Sequence, residues 1–210
     1  MSESADVRAT RQAYDEMAEL YSDFVHRHLE SSPFDRAMLD VFADVTRGAG
    51  EVLEVGCGPG RIAGYLHAAG LRISGLDLSP EMIRIARIAL PHLSFEVGNL
   101  ERLDRPDASL AGIVAWYSLI HTPPARIPAV LSEFARVLRP GAHLLLGFQA
   151  PAAGPSGQSY DHKVATSYLW TPDAMSEALA GNGFRATATL SREARPDERT
   201  PQGYVLAVRL

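Results

Sequence analysis

The sequence predicts an α/β fold: a single doubly wound, mostly parallel seven-stranded sheet with an antiparallel edge strand, helices on both faces and an N-terminal helical cap. Three observations predict it. From residue 51 onward, short apolar runs alternate with amphipathic stretches, in the order EVLEV, RIAGYLHAAG, RISGLDL, SPEMIRIARIAL and LSFEVG, which is the texture of parallel strands joined by crossover helices. The first run empties into three glycines at alternate positions, EVLEVGCGPGR, before a helical pattern resumes. The last two runs, FRATATLSREA and QGYVLAVRL, both alternate as strands, so they close the sheet as an antiparallel pair.

Each element has its own justification. In AYDEMAELYSDFVHRHLE, residues Tyr14, Met17, Leu20 or Tyr21, Phe24 and Leu29 fall near helical spacing, which predicts one amphipathic helix. A second helix follows Pro33 and stops at Gly48 and Gly50. The glycine-rich turn leads into a helix that ends at Gly70, and Ser79-Pro80-Glu81 supplies an N-cap, a first-turn proline and an acidic first turn for the next. LAGIVAWYSLI reads as a buried strand, PAVLSEFARVL as a helix and HLLLGFQ as a strand, with Pro140 and Gly141 suited to the centre of a type II turn. Residues 149–161 are rich in Gly, Pro and Ser and read as a loop; TPDAMSEALAGNGF after them is a helix too short to hold a core alone.

The chain has 210 residues, 46% of them hydrophobic and 21% charged, which suits one core and one domain. A net charge of -5 disfavours a broad nucleic-acid footprint. MSESADVRAT lacks a basic segment followed by an apolar stretch, and no run approaches the roughly 18 apolar residues of a membrane span, so a cytoplasmic protein without membrane partners is expected. The single cysteine, Cys57, excludes an intramolecular disulfide and a cysteine-based zinc cage. His26 and His28, two apart, would point away from each other on a helix, so no metal site is expected.

A strand, a bare turn and a helix N-terminus let a ligand approach the backbone, and nucleotide phosphates or ribose groups are the usual occupants. Asp77, about 20 residues beyond the turn, is where a carboxylate accepts both hydroxyls of a ribose. Dinucleotide folds favour a third glycine at the position held here by Arg61, and this chain has Gly60 instead.

The run E-x-G-x-G-x-G from Glu54 to Gly60 resembles the first motif of the class I, Rossmann-like S-adenosylmethionine-dependent methyltransferases. GLDLSPEMI resembles the second motif and FEVGNLERLD the third, while GIVAWYSLIHTPP and RVLRPGAHLLLGF resemble the later segments, so the likeness covers roughly residues 50–148. It implies that Glu54, Gly56, Cys57, Gly58, Gly60 and Arg61 form the turn under the methionine moiety, with the Trp116 carbonyl near its ammonium. Asp77 would hold the ribose, Leu78 and Met82 would flank the adenine, and Asn99 with the backbone of Leu100 would read its edge; the family more often has aspartate where Asn99 stands. Tyr14 and Tyr21 would close over the cofactor. On this reading residues 1–48 are a cap or lid, 50–148 the cofactor-binding core, 149–170 a substrate-side loop and 171–210 a C-terminal helix with edge strands. The product would be S-adenosylhomocysteine.

A sulfonium methyl is already electrophilic, so such an enzyme aligns the acceptor, excludes water and removes a proton where needed. His121, just beyond the fourth strand, is the expected base, with the alternative that it only caps the Thr122-Pro123-Pro124 turn or lines the pocket. Tyr117, Tyr160 and His162 are further candidates for substrate contact, and Cys57 reads as a packing group rather than a nucleophile. Ala115-Trp116-Tyr117-Ser118 differs from the N-P-P-Y pattern of relatives that methylate base or amide nitrogens and lacks the aspartates of magnesium-dependent relatives. The expectation is therefore metal-independent transfer to O or N of a small, partly apolar molecule. A cofactor-binding regulator without turnover and an NAD-dependent oxidoreductase stand as alternatives.

Overall fold

A computed structural model describes residues 4–25, 29–162 and 164–210. His26 and His28 lie outside the described residues. The elements run α1 (Ala5–Glu16), α2 (Ala18–Val25), α3 (Pro33–Thr46), β1 (Glu51–Val55), α4 (Arg61–Ala68), β2 (Arg72–Asp77), α5 (Pro80–Ala89), β3 (Ser94–Val97), β4 (Leu110–Trp116), α6 (Ile127–Val137), β5 (Leu138–Gln149), β6 (Ser159–Asp161), β7 (Thr166–Tyr168), α7 (Pro172–Ala180), β8 (Phe184–Arg192) and β9 (Gln202–Arg209). Seven strands form one sheet in the order β3-β2-β1-β4-β5-β9-β8. The first five are parallel, and β9 runs antiparallel between β5 and the edge strand β8.

Strand alternation divides the core between the two faces of the sheet. Leu53 and Val55 of β1 and Ile113 and Ala115 of β4 pack with Leu131 and Phe134 of α6 and Met175 and Leu179 of α7. Val52 and Val114, on the opposite face, pack with Leu39 and Phe42 of α3, Leu66 of α4 and Ile83 of α5. All seven residues of β4 are buried, as a central parallel strand covered on both faces must be. Order reverses between β1 and β4: the chain winds outward through β2 and β3, then returns across β1 to β4. The crevice at the carboxyl ends of these strands is where open α/β sheets bind ligands.

Three expectations need correction. The N-terminal helix begins at Ala5 and is not continuous, because Met17 leaves helical geometry at φ -115° and ψ 13° and separates α1 from α2. The break rotates the face that a single period would bury: Ala18, Val25 and Leu29 are buried, whereas Leu20 and Phe24 stay 69% and 70% exposed. The segment after β5 is not loop throughout, since Ser159–Asp161 pairs antiparallel with Thr166–Tyr168 in a small hairpin. Short polar strands such as these carry too little alternation to stand out in sequence. The turn before the fifth core strand falls inside β5, with Gly141 at φ 80° as the second central position of a type II turn requires.

Candidate active site

The turns after β1 to β4 converge on a cleft with about 820 Å³ of empty space, partly open to solvent. Gly56 and Gly58 form one wall, Asp77, Leu78 and Met82 the next, and Gly98, Asn99 and Leu100 the far end. Trp116, Tyr117, Ser118 and His121 close the side beyond β4. Asp6, Val7, Thr10 and Tyr14 of α1 and Tyr21 of α2 make the roof.

The three glycines have separate reasons. All take positive φ, 71° at Gly56, 52° at Gly58 and 86° at Gly60, where a side chain is strained. A Cβ on Gly56 would also lie 2.3 Å from Cβ of Ser118, and one on Gly60 would lie 2.9 Å from the Phe95 ring. Gly60 thus starts α4 close against β3 and is not part of the cleft lining. A Cβ on Gly58 would meet nothing nearer than Tyr21 at 3.9 Å, so this glycine faces the cleft. Cys57, 4% exposed, sits beneath the turn against Gly75 of β2. Burial pushes its thiol well up, which leaves a neutral packing group.

Asp77 holds the turn to β2. Its Oδ2 accepts the Gly58 N–H at 2.7 Å, and its Oδ1 accepts the Ser79 N–H at 2.9 Å. Ser79 in turn caps α5 by accepting the Met82 N–H at 3.1 Å. Burial raises the Asp77 carboxyl pKa, and the backbone N–H groups of Ser79, Gly58 and Leu78 oppose that rise. Each carboxylate oxygen keeps a second acceptor site for a ligand hydroxyl. At the far end Asn99 Oδ1 accepts the Glu101 N–H at 2.9 Å, so the asparagine folds its own loop and leaves its NH₂ donors for a ligand.

Beneath the turn, Glu54 is 1% exposed and burial pushes its carboxyl up to about 8. Glu54 Oε2 and Arg61 Nη1 are both buried without a hydrogen-bond partner. This unpaired acceptor and this unpaired donor lie behind the glycine turn, outside the cleft lining, and suit the ammonium and carboxylate of an amino-acid moiety, while the Asp77 wall complements a ribose.

The roof is tied down at both ends. Asp15 Oδ1 accepts the Ser79 hydroxyl at 2.6 Å and the Glu81 N–H at 3.3 Å, which places a carboxylate at the N-terminus of α5. Arg126 pairs with Asp6 and with Glu101, the latter at 3.0 Å, and also reaches Ser4. Tyr14 and Tyr21, on separate helices, still meet edge to face with ring centroids 5.7 Å apart.

His121 closes a Leu119–His121 3-10 turn after β4. Its Nδ1 lies 2.8 Å from the Thr166 carbonyl of the hairpin, and its Nε2 lies 2.9 Å from the Tyr14 hydroxyl. A carbonyl only accepts, so Nδ1 carries the proton and Nε2 is the free base that accepts from Tyr14. Burial lowers the His121 pKa, and the bond to Thr166 partly offsets this. His162 stacks edge-on against His121 at 5.4 Å and is not among the cleft-lining residues. Tyr160 lies farther out, under the Arg199 guanidinium at 5.0 Å, and does not line the cleft either.

Sequence reading missed Asp6, Asp15 and Arg126, whose ties span long stretches of chain, and a buried polar group behind Tyr117. Tyr117 is a non-glycine residue at φ 58°, and its hydroxyl lies 3.1 Å from that of Tyr204. Tyr204 donates to Asp35 Oδ1 at 2.5 Å and accepts from Arg192 Nε at 3.1 Å.

The comparisons with known proteins agree with this geometry. A family described as "Methyltransferase domain" matches residues 52–141. A malonyl-acyl-carrier-protein O-methyltransferase of Serratia marcescens is 31% identical over 148 residues, covering 63% of this chain and 56% of that protein. An O-methyltransferase of Aspergillus sclerotiorum is 28% identical over 207 residues, covering 87% of this chain and 76% of that protein. The chain therefore spans little more than half the length of the first of these relatives. The crystal structure of magnesium protoporphyrin IX methyltransferase from Synechocystis PCC 6803 with bound S-adenosylhomocysteine superposes with a TM-score of 0.75 at 19% identity, over 98% of this chain and 100% of that one, a likeness of fold. The fold is the Rossmann-like fold of the class I methyltransferases. Over residues 52–141 the chain carries a methyltransferase domain, and its fold is that of S-adenosylmethionine-dependent methyltransferases, whose cofactor the cleft fits. Among the described residues no helix is long and apolar enough to cross a membrane, and no group of three or more His, Cys, Asp or Glu is placed to hold a metal ion.

Proposed function

We propose that the enzyme methylates an O or N atom of a small metabolite in the cytoplasm, without a metal ion, and that His121 removes the acceptor's proton. The observation that carries this reading is the orientation of His121. His121 lines the cleft beside Tyr117 and Ser118 with its Nδ1 committed to Thr166, so Nε2 is the basic nitrogen, and the Tyr14 hydroxyl now bonded to it must give way when an acceptor's proton arrives.

S-adenosylmethionine supplies an electrophilic methyl group. Asp77 holds the ribose, Leu78 and Met82 flank the adenine, and Asn99 with the Leu100 backbone meets its edge. Glu54 and Arg61 complement the amino-acid end from beneath the Gly56–Gly60 turn, with the Trp116 carbonyl beside the ammonium. Tyr14 and Tyr21 exclude water from above, which strengthens every polar contact inside. His121, neutral near pH 7 because burial lowers its pKa, accepts a proton as the acceptor reacts and passes it to solvent afterwards.

Incubation with tritiated S-adenosylmethionine and a panel of small phenols, alcohols and amines tests this. Label transfer that falls about 100-fold in His121→Gln, with S-adenosylhomocysteine affinity unchanged, is expected for loss of a general base. Full activity with an unaltered pH profile in His121→Gln removes the base assignment.

A further inference from the structure

The central strand β4 leaves the sheet through a strained residue. Tyr117 follows it at φ 58°, a left-handed backbone that a bulky side chain keeps only when its surroundings hold it. The turn it makes sets Ser118 against the glycine turn, where a Cβ on Gly56 would lie 2.3 Å from the Ser118 Cβ, and starts the Leu119–His121 3-10 turn. His121 therefore stands where Tyr117 sends it.

Three contacts hold Tyr117 in place. Its N–H donates to the Gly147 carbonyl at 2.8 Å, and its ring meets Trp116 edge to face with centroids 5.7 Å apart. Its hydroxyl lies 3.1 Å from that of Tyr204, the residue paired with Gly147 across β5 and β9 and stacked on the same Trp116 ring at 5.3 Å. Backbone and side chain are thus gripped from neighbouring positions.

The hydroxyl contact has one direction. Tyr204 gives its proton to Asp35 at 2.5 Å and accepts from Arg192 Nε at 3.1 Å, so its remaining lone pair accepts from Tyr117. Asp35 and Tyr204 are 1% and 0% exposed, and Arg192 is paired further with Glu198 at 2.7 Å. Buried ionic groups often add little stability over an apolar core of the same shape; their better-attested use is to fix one arrangement. Here the arrangement fixed is the Tyr204 hydroxyl turned toward Tyr117.

Resting on the methyl-transfer reading above, we infer that Tyr204, oriented by Asp35, is a positioning residue for His121: its hydroxyl locks Tyr117 in the left-handed backbone and so holds the imidazole at the cleft. Neither Tyr204 nor Asp35 lines the cleft, so both act through Tyr117 and touch neither cofactor nor acceptor.

Nitrogen NMR with and without S-adenosylhomocysteine tests this, the His121 ring signal being identified as the one missing in His121→Gln. In the wild-type protein the His121 Nδ1–H, bonded to Thr166, should exchange slowly with solvent. Tyr204→Phe and Tyr117→Phe each remove only a hydroxyl, and the second leaves the Tyr204–Asp35 bond intact. Each is expected to speed that exchange about tenfold while the Val114 amide in β4 stays protected, and the double variant no further, because both act through one bond. Wild-type exchange in both single variants, a double variant whose effect is the product of the two, or a wild-type Nδ1–H already in fast exchange overturns the inference. Acceleration that Val114 shares overturns it too, since that marks general loosening. The base assignment fails separately, through full label transfer in His121→Gln, and leaves this readout untouched.

Discussion

Asp77 Oδ2 accepts the Gly58 N–H at 2.7 Å, so the carboxylate that ends the second strand also fixes the glycine turn that ends the first. One side chain therefore joins the two walls of the cofactor cleft.

Replacing Asp77 with Ala removes two charge-assisted bonds to backbone N–H groups together with the ribose contact. At about 1.5–3 kcal/mol for each bond to a charged group, S-adenosylhomocysteine affinity should fall about 100-fold or more. Calorimetry reads this directly. Thermal unfolding should show an accompanying loss of about 1–3 kcal/mol, since Gly58 and Ser79 N–H lose their partner.

The glycines of the turn should separate into packing and binding positions. Gly56→Ala drives a Cβ to 2.3 Å from Ser118, and Gly60→Ala drives one to 2.9 Å from Phe95, in both cases at positive φ. Each should cost about 2–4 kcal/mol of stability. Gly58→Ala, with open space before it, should cost about 1 kcal/mol of backbone strain and act mainly on cofactor affinity. Urea unfolding beside calorimetry distinguishes the two patterns.

His121 and Glu54 give opposite pH signatures. The folded His121 pKa lies below its ordinary value of 6.5, so the unfolded chain takes up the proton first. Its contribution to stability is present above 6.5 and is lost as pH falls through the folded pKa. The rising limb of the rate profile should accordingly have its midpoint below 6.5 and vanish in His121→Gln. Glu54 is raised to about 8 from 4.5, so its contribution is fully present below 4.5 and is lost as pH rises through 8. Ligand-free protein should lose stability across that window at up to about 1.4 kcal/mol per pH unit for one proton. Glu54→Gln should flatten the slope in denaturant titrations repeated at several pH values.

The roof should loosen when its tie to α5 is cut. Asp15→Ala removes acceptors for the Ser79 hydroxyl and the Glu81 N–H. A weakening of S-adenosylhomocysteine binding by about 5–10-fold is expected, on the scale of about 1 kcal/mol for such a capping contact. Hydrogen exchange should accelerate in residues 5–25 and leave β1 and β4 protected. Unchanged exchange in the roof would assign Asp15 no role in closure.

Legibility in the sequence followed the range of the interactions. The strand-turn-helix units, the Gly56–Gly60 turn, Asp77 and the Ser79-Pro80 cap were readable because each is specified within a few residues. Met17 was not, since nothing in AYDEMAELY marks a break; tertiary packing of Ala18 and Val25 overrides a continuous helical period. Phe24 then appears on the exposed side where periodicity placed it inside. The Asp35–Tyr204 bond joins residues 169 apart, and the Arg126–Asp6 pair joins residues 120 apart. Such pairings leave no local pattern. His121 was findable by its place after the fourth strand, but its tautomer was not, because Thr166 fixes it from a hairpin too short to recognise.

The most direct test of the central claim is calorimetric titration of the purified protein with S-adenosylmethionine, S-adenosylhomocysteine and NAD, repeated with Asp77→Ala. The geometry predicts binding of both adenosyl ligands with one-to-one stoichiometry, no binding of NAD, and loss of adenosyl binding in the mutant. Preference for NAD, or adenosyl affinity that survives in Asp77→Ala, would contradict it.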